Sequence, residues 1–235
     1  REVLIETRTF HDGTLDVTLS TAPGAGRILY ILEPEPVVGK VSHLAEELSL
    51  HLAAISGMDW NRDLSPWPAP KVFKGEEDFS GGAGPFMEQL ETSLFPKTEA
   101  LLDRPVEKRM LAGISLSGLF TLYMAALSHT LDGAASISGS FWFDGFTDFM
   151  GAHPLPEKIE RVYLSLGDRE KKTGNPRMAQ VESATLEIEE ILKEEGVETV
   201  FQMNKGNHFV YGAERLEEAV RYLAEGKVWK GPHSL

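Results

Sequence analysis

Short apolar runs and segments with helical spacing alternate along this chain. The runs that predict strands are Val3–Phe10, Leu15–Thr21, Arg27–Leu32, His51–Ile55, Lys108–Gly113, Gly133–Ser138, Arg161–Leu166 and Glu198–Asn204. The segments that predict helices are Lys40–Leu50, Phe86–Leu102, Leu116–Ser128, a stretch from Asn175-Pro176 to Gly196, and a closing helix through Ala213, Leu216, Val220 and Leu223. Pro96 should bend or end the second of these helices. The pattern predicts an α/β fold: a mostly parallel sheet with helices on both faces.

The first two strands differ from the rest because their apolar and polar residues alternate. The turn residues His11-Asp12-Gly13 lie between them. This arrangement predicts an antiparallel hairpin at the amino-terminal edge of the sheet.

Residues 56–85 have no hydrophobic period and are rich in Gly, Pro, Trp and Asp. A long segment of this kind inside a compact domain is usually functional or disordered. Trp60, Trp67 and Phe73 argue for order, because large aromatic side chains bury area. We therefore expect one domain over residues 1–235, with 56–85 as an ordered loop or pocket wall.

Charge and composition exclude some classes of binding partner and some kinds of site. The 235 residues carry 23 Lys and Arg against 36 Asp and Glu, a formal net charge of -13. This charge repels phosphate backbones, so no nucleic-acid partner is expected. The absence of cysteine removes disulfides, thiol nucleophiles and thiolate metal sites.

The uncharged stretch Met110–Ser128 is long enough for a membrane span. However, Gly113, Ser115, Ser117 and Gly118 in its first half favour a strand, a tight turn and a buried helix. We expect no membrane span and a soluble, cytoplasmic protein. The first residue is Arg, which leaves a removed leader open.

The strongest chemical signal is the run Ala112–Gly118, which joins a predicted strand to a predicted helix. Such a strand–turn–helix context is that of a nucleophile elbow, in which a serine hydroxyl stands above the sheet edge. Ser115 has Gly113 two residues before it and Ser117 two residues after it, where the usual residue is Gly. The alternative is a turn whose serines only cap the helix.

A serine nucleophile needs a base and an acid. His208 lies between the last strand and the last helix, and loops at the carboxyl ends of parallel strands gather at one edge of a sheet. The turn Gly167–Glu170 offers two carboxylates after the preceding strand. We favour Glu170, which lies farther from the strand end, and keep Asp168 as the alternative because it could equally cap the turn.

Aromatic residues predict a substrate pocket, and no spacing predicts a metal site. Trp60, Trp67 and Trp142 are the expected pocket residues: packing is the better explanation for each alone, and only together do they favour a pocket. The histidines are scattered and no His-Glu-x-x-His pattern occurs, so no metal and no organic cofactor is expected.

Several of these motifs together resemble the esterase branch of the α/β-hydrolase fold, which includes siderophore esterases, feruloyl esterases and S-formylglutathione hydrolase. The matching segments are Ala112–Phe120, Ser138–Phe143, Leu164–Glu170 and Gly206–Phe209, within a resemblance that extends from Arg27 to Leu223. Asp59–Pro70 also resembles a segment of a bacterial subgroup whose substrate is poorly defined.

The resemblance implies Ser115 as nucleophile, His208 as base and an acid in the turn that ends at Glu170. It also implies the Leu116 N–H as one oxyanion donor. The second donor would come from the loop near Glu33, which has no His-Gly-Gly pattern and contains Pro34, a residue without an N–H.

The sequence thus predicts a serine hydrolase that cleaves a small-molecule carboxylic ester or thioester through an acyl-enzyme intermediate. Two alternatives stay open: a hydrolase-like scaffold that binds a ligand without turnover, and a serine-dependent acyltransferase. Nothing in the sequence supports or opposes a homo-oligomer.

Overall fold

The computed structural model describes residues 6–235, and its centre is an eight-stranded sheet in the order β1-β2-β4-β3-β7-β8-β9-β10. The strands are β1 Thr7–Asp12, β2 Leu15–Ser20, β3 Arg27–Ile31, β4 His51–Ser56, β7 Lys108–Ile114, β8 Gly133–Ile137, β9 Arg161–Gly167 and β10 Glu198–Asn204. The pairs β1–β2 and β2–β4 are antiparallel, and every other neighbouring pair is parallel. The predicted mostly parallel sheet with an antiparallel hairpin is confirmed.

The turn of the hairpin is shorter than predicted. The ladder extends to the pair Asp12–Leu15, so the turn is confined to Gly13 and Thr14. Gly13 has a φ of 61°, a left-handed conformation that glycine adopts without steric cost. The residues from Val3 to Ile5 of the predicted first strand lie outside the described residues.

Helices cover both faces of the sheet. They are α1 Glu35–Val38, α2 Leu44–Glu47, α3 Trp60–Asp63, α4 Ala83–Gln89, α5 Phe95–Glu99, α6 Leu116–Leu127, α7 Phe146–Ala152, α8 Val181–Glu194 and α9 Gly212–Glu225. Side chains of β3 alternate between two cores: Ile28 and Tyr30 belong to the core that also contains residues of α4, α6 and α8, whereas Leu29 and Ile31 belong to the core that contains residues of α1, α2 and α9. This alternation follows from the two-residue period of a strand.

Three predicted helices have different limits. The segment Lys40–Leu50 forms only a 3₁₀ turn at Gly39–Val41 and the short α2. The segment around Pro96 is helical from α4 to α5, with a π-helical turn over Leu90–Leu94 between them. Pro96 lies in the first turn of α5. An N–H at such a position has no intrahelical acceptor, so the lack of an N–H in proline costs the helix little. In the helix that ends before Gly196, Asn175 Oδ1 accepts from the amides of Arg177 and Met178 at the start of a 3₁₀ turn, and α8 follows.

The segment 56–85 is ordered and lies beside the carboxyl edge of the sheet. It contains α3 and a small antiparallel ladder of β5 Pro68–Ala69 with β6 Phe79–Ser80. Buried Leu64 and Phe79 attach it to the core on the α6 face. The segment is therefore placed to form part of the wall of a site at that edge.

Candidate active site

Ser115 occupies a strained turn between β7 and α6. Its φ of 60° and ψ of -124° are sparsely populated by residues other than glycine. Neighbouring backbone groups hold this conformation: the Ser115 N–H donates to the Ile137 carbonyl over 3.0 Å, and its carbonyl accepts from Ser140 N over 3.1 Å. Strain that surrounding hydrogen bonds maintain is typical of functional serines at sheet edges.

The turn is tight enough to require small residues around Ser115. A Cβ on Gly113 would lie 2.3 Å from the Ser117 carbonyl oxygen, and a Cβ on Gly118 would lie 2.7 Å from Ser136 Oγ. Ser117 itself fits, and its Oγ accepts a 2.8 Å hydrogen bond from the Ile114 N–H. The serine in the usual glycine position therefore leaves the elbow geometry intact.

Ser115, His208 and Glu170 form a continuous hydrogen-bonded chain. With its proton on Nδ1, the His208 ring donates to Glu170 Oε2 over 2.8 Å, and its Nε2 accepts from the Ser115 hydroxyl over 3.0 Å. The three residues follow β7, β9 and β10, whose carboxyl ends share one edge of the sheet. This arrangement can deprotonate the serine and stabilise the imidazolium that results.

Glu170 is buried, with 3% of its side chain exposed, and its carboxylate is fully hydrogen-bonded. Besides His208, its oxygens accept from the Ser138 hydroxyl, the Gly167 N–H and the Arg215 guanidinium. Burial alone would raise the pKa of Glu170, but the hydrogen bonds from His208, Ser138 and Gly167 outweigh it and lower the pKa. Glu170 is therefore held as a carboxylate.

Asp168, the alternative acid, contacts backbone instead of His208. Its Oδ1 accepts from the Gly206 N–H over 2.8 Å, and its own N–H donates to the Asn204 carbonyl over 2.8 Å. Asp168 therefore ties the turn after β9 to the loop that carries His208, whereas Glu170 reaches the ring.

Arg215 in α9 is a further residue of this site that the sequence analysis missed. Its guanidinium donates from Nη1 to Glu170 Oε1 and Ser138 Oγ, and from Nη2 to the carbonyls of Lys205 and Asn207, each over 3.1 Å. A signal existed in the sequence, because Arg215 has helical spacing with the buried residue Ala219. A charged residue on a buried helical face needs a partner, and here the partner is Glu170.

The amide of Leu116, the first residue of α6, lies directly after Ser115 at a helix start, where N–H groups favour negative charge. Glu33, which follows β3, points its Oε1 at Ser117 Oγ from 3.3 Å. Burial raises the pKa of Glu33 to about 7, although hydrogen bonds from Ser117 and the Ile114 backbone and the charge of His208 oppose this. The Glu33 carboxyl thus contacts the elbow, and Glu33 does not line either cavity beside Ser115.

Cavities open on both sides of the Ser115 hydroxyl, with volumes of about 70 and 150 Å³. Trp142 lines both, and Trp60 lines the smaller one. Trp67, the third tryptophan expected in the pocket, lies elsewhere. Its Nε1 donates to the Asp144 carbonyl and its ring packs against Phe143, Phe146 and Phe149, so it supports the wall from behind.

Other cavities and side-chain clusters in the described structure are weaker candidates for a functional site. A cavity of about 200 Å³ lies near the amino ends of β3, β7 and β9, but its lining holds no nucleophile and its Lys108 is paired with Glu160. Among residues 6–235, no group of three or more His, Asp or Glu is arranged to hold a metal ion. Within the same residues, every helix is too short or too polar to span a bilayer.

No family model matches the chain. The uncharacterized protein YbbA of Bacillus subtilis (strain 168) is 24% identical over 169 residues, covering 68% of each sequence. Among solved structures, an IroE-like serine hydrolase from Shewanella oneidensis superposes with a TM-score of 0.77 at 16% identity, over 94% of this chain and 80% of its own.

Two further solved structures are similar. The siderophore hydrolase EstB from Aspergillus nidulans has a TM-score of 0.74 at 16% identity, over 97% of this chain and 96% of its own. The fluorophosphonate-binding serine hydrolase FphF of Staphylococcus aureus has a TM-score of 0.62 at 11% identity, over 94% of this chain and 98% of its own. The sheet order, the elbow and these likenesses establish that this chain has the α/β-hydrolase fold.

Proposed function

We propose that this protein is a serine hydrolase that cleaves a carboxylic ester or thioester through an acyl-enzyme intermediate. The observation that carries the proposal is the hydrogen-bonded chain from Ser115 Oγ through His208 to Glu170, with distances of 3.0 and 2.8 Å. A scaffold that only binds a ligand has no need of a strained serine in contact with an oriented imidazole. Solved structures with the same fold are named serine hydrolases, which supports the same class of chemistry here.

The proposed first step forms the acyl-enzyme. Ser115 Oγ attacks the carbonyl carbon while its proton passes to His208 Nε2, and the carbonyl oxygen becomes an oxyanion facing the Leu116 N–H. Glu170 keeps the Nδ1 proton in place and stabilises the imidazolium. The carbon–oxygen bond to the alcohol then breaks, and the alcohol leaves with the proton from His208.

The second step releases the acid. Water gives a proton to His208 and attacks the acyl carbon, and collapse of the new tetrahedral intermediate returns that proton to Ser115. Ser115, His208, Glu170 and the Leu116 N–H, which the two steps use, all lie at the carboxyl edge of the sheet. The same acyl-enzyme could pass its acyl group to an alcohol, so product analysis with an added alcohol separates hydrolysis from acyl transfer.

Labelling with a fluorophosphonate probe tests the proposal without knowledge of the substrate. Intact-protein mass spectrometry should show one equivalent of probe on the wild type and none on Ser115→Ala. Ser140→Ala is the matched control, because Ser140 Oγ shares both cavities and lies 3.5 Å from Ser115 Oγ, yet makes no hydrogen bond to His208. A folded wild type that stays unlabelled, or a Ser115→Ala protein that still reacts, would contradict the proposal.

A further inference from the structure

The cavities beside Ser115 differ in their surroundings. The smaller one lies on the side of Leu116 and has Trp60 and Phe79 in its wall. The larger one lies on the side of His208 and has Met178 and Val181 in its wall. Phe73, Ser140 and Trp142 line both cavities, which meet at Ser115.

The chemistry of acyl transfer decides which part of an ester each cavity can take. The leaving oxygen must receive its proton from His208 Nε2, so the alcohol part has to lie beside His208. The carbonyl oxygen must face the Leu116 N–H, which turns the acyl part away from His208. We propose that the smaller cavity binds the acyl group and the larger cavity binds the alcohol, so that the substrates are esters of a compact neutral acid with a larger apolar alcohol. This assignment rests on the proposed hydrolase function.

Volume supports a compact acyl group. The smaller cavity has about 70 Å³ and the larger one about 150 Å³, so the group bound in the smaller cavity must be the more compact of the two. The rings of Trp60, Phe79 and Trp142 line the smaller cavity and limit the space for an acyl chain. Met178, Val181 and the exposed Phe209 give the larger cavity an apolar wall that continues to the surface.

Charge supports a neutral acid. No Lys or Arg within residues 6–235 lines either cavity, and Glu76 lies in the wall of the smaller one. The nearby Arg177 guanidinium lies 5.6 Å from the Trp142 ring centre, but it already bonds Asp144 and the Pro70 carbonyl. An anionic acyl group would therefore meet the Glu76 carboxylate, and the nearby Arg177 charge is already paired with Asp144.

Two isomeric esters test the assignment directly. Benzyl acetate combines a small acyl group with a large alcohol, and methyl phenylacetate reverses the two parts with the same atoms. We expect kcat/KM for benzyl acetate to exceed that for methyl phenylacetate by about tenfold or more, because a cavity that excludes a few carbon atoms discriminates at this level. Acid release followed in a pH-stat measures both reactions under identical conditions.

Two variants, one in each cavity, test which cavity determines the preference for benzyl acetate. Trp60→Ala enlarges only the smaller cavity and should raise kcat/KM for methyl phenylacetate by about tenfold relative to benzyl acetate. Met178→Ala enlarges only the larger cavity and should leave that ratio near its wild-type value, while it favours naphthylmethyl acetate over benzyl acetate. Trp60 is 39% exposed, so its replacement leaves the core intact.

The results of these experiments distinguish a failure of the cavity assignment from a failure of the proposed hydrolase function. Equal rates for the isomers, a preference for methyl phenylacetate, or no hydrolysis of benzyl acetate would overturn the assignment. Fluorophosphonate labelling of Ser115 in the same preparation would leave the hydrolase proposal standing in each of these cases. A preparation in which Ser115 also fails to react would overturn both.

Discussion

The Arg215 guanidinium lies 3.1 Å from the Glu170 carboxylate, and the two side chains are only 2% and 3% exposed. The same guanidinium bonds the carbonyls of Lys205 and Asn207, which precede His208 in the loop. One buried cation therefore holds both Glu170 and the loop that carries His208. A buried pair of this kind costs most when only one partner is removed, because the other charge is then unpaired.

Replacement of Arg215 by Met should lower the free energy of unfolding by about 3–5 kcal/mol, since it leaves the buried Glu170 charge without its paired cation and the loop carbonyls without their donor. Urea denaturation at neutral pH measures the change. Lys193→Met, which removes an exposed pair with Glu189, should cost less than about 1 kcal/mol. Equal effects of the two replacements would show that the buried pair does not stabilise the fold.

Glu170→Gln should lower kcat far more than Asp168→Asn. The neutral amide would no longer fix the His208 tautomer or stabilise the imidazolium, and a comparable loss in a serine–histidine–aspartate triad costs about 10⁴ in kcat. Asn at position 168 keeps an oxygen that can accept from the Gly206 N–H, so kcat should stay within a few-fold of wild type. Rates on one ester at one pH give the ranking, and the reverse order would assign the role of acid to Asp168.

The sequence was sufficient to predict that Ser115, Glu170 and His208 lie at one edge of the sheet. Ser115, Glu170 and His208 each follow a strand that the apolar pattern identifies, and parallel strands bring their carboxyl ends together. The choice between Asp168 and Glu170 depends on a few ångströms of loop path. Spacing along the chain does not specify such a distance, and the structure brings Glu170 to the ring.

Tertiary contacts account for most of what the sequence did not predict. Arg215 acts on residues far away in the chain, so no local motif contains it. Trp67 was expected in the pocket because of its type, yet its contacts with Phe143 and Phe149 place it behind the wall. The helix also continues past Pro96, because a π-helical turn precedes the proline. Such a local irregularity has no sequence signature.

Gly113→Ala should destabilise the elbow. The new methyl group would lie 2.3 Å from the Ser117 carbonyl oxygen and 2.4 Å from its carbon, and both are backbone atoms that cannot move alone. Overpacking of this kind costs about 1–3 kcal/mol. Gly151→Ala is the control, because its nearest neighbour, Ile191 Cδ1, would be 3.9 Å away and alanine favours the helix. Thermal unfolding should show a lower Tm only for Gly113→Ala, and an unchanged Tm would mean that the turn is less tight than described.

The stability of the fold should depend on pH through Glu33, because burial raises the pKa of this carboxyl from 4.5 to about 7 in the folded protein. Between these values the unfolded chain has lost the Glu33 proton while the folded chain still binds it. Stability must therefore fall as the pH rises through this window, and above pH 7 the full cost is present. A shift of this size corresponds to about 3 kcal/mol.

Glu33→Gln should remove that cost, because the neutral amide can still bond Ser117 and is not penalised by burial as a charge. The difference in free energy of unfolding between the variant and the wild type should be near zero at pH 4.5 and rise to about 3 kcal/mol at pH 8. Urea titrations at several pH values measure it. Parallel stability curves for wild type and Glu33→Gln would mean that Glu33 ionises in the folded protein as freely as in the unfolded chain.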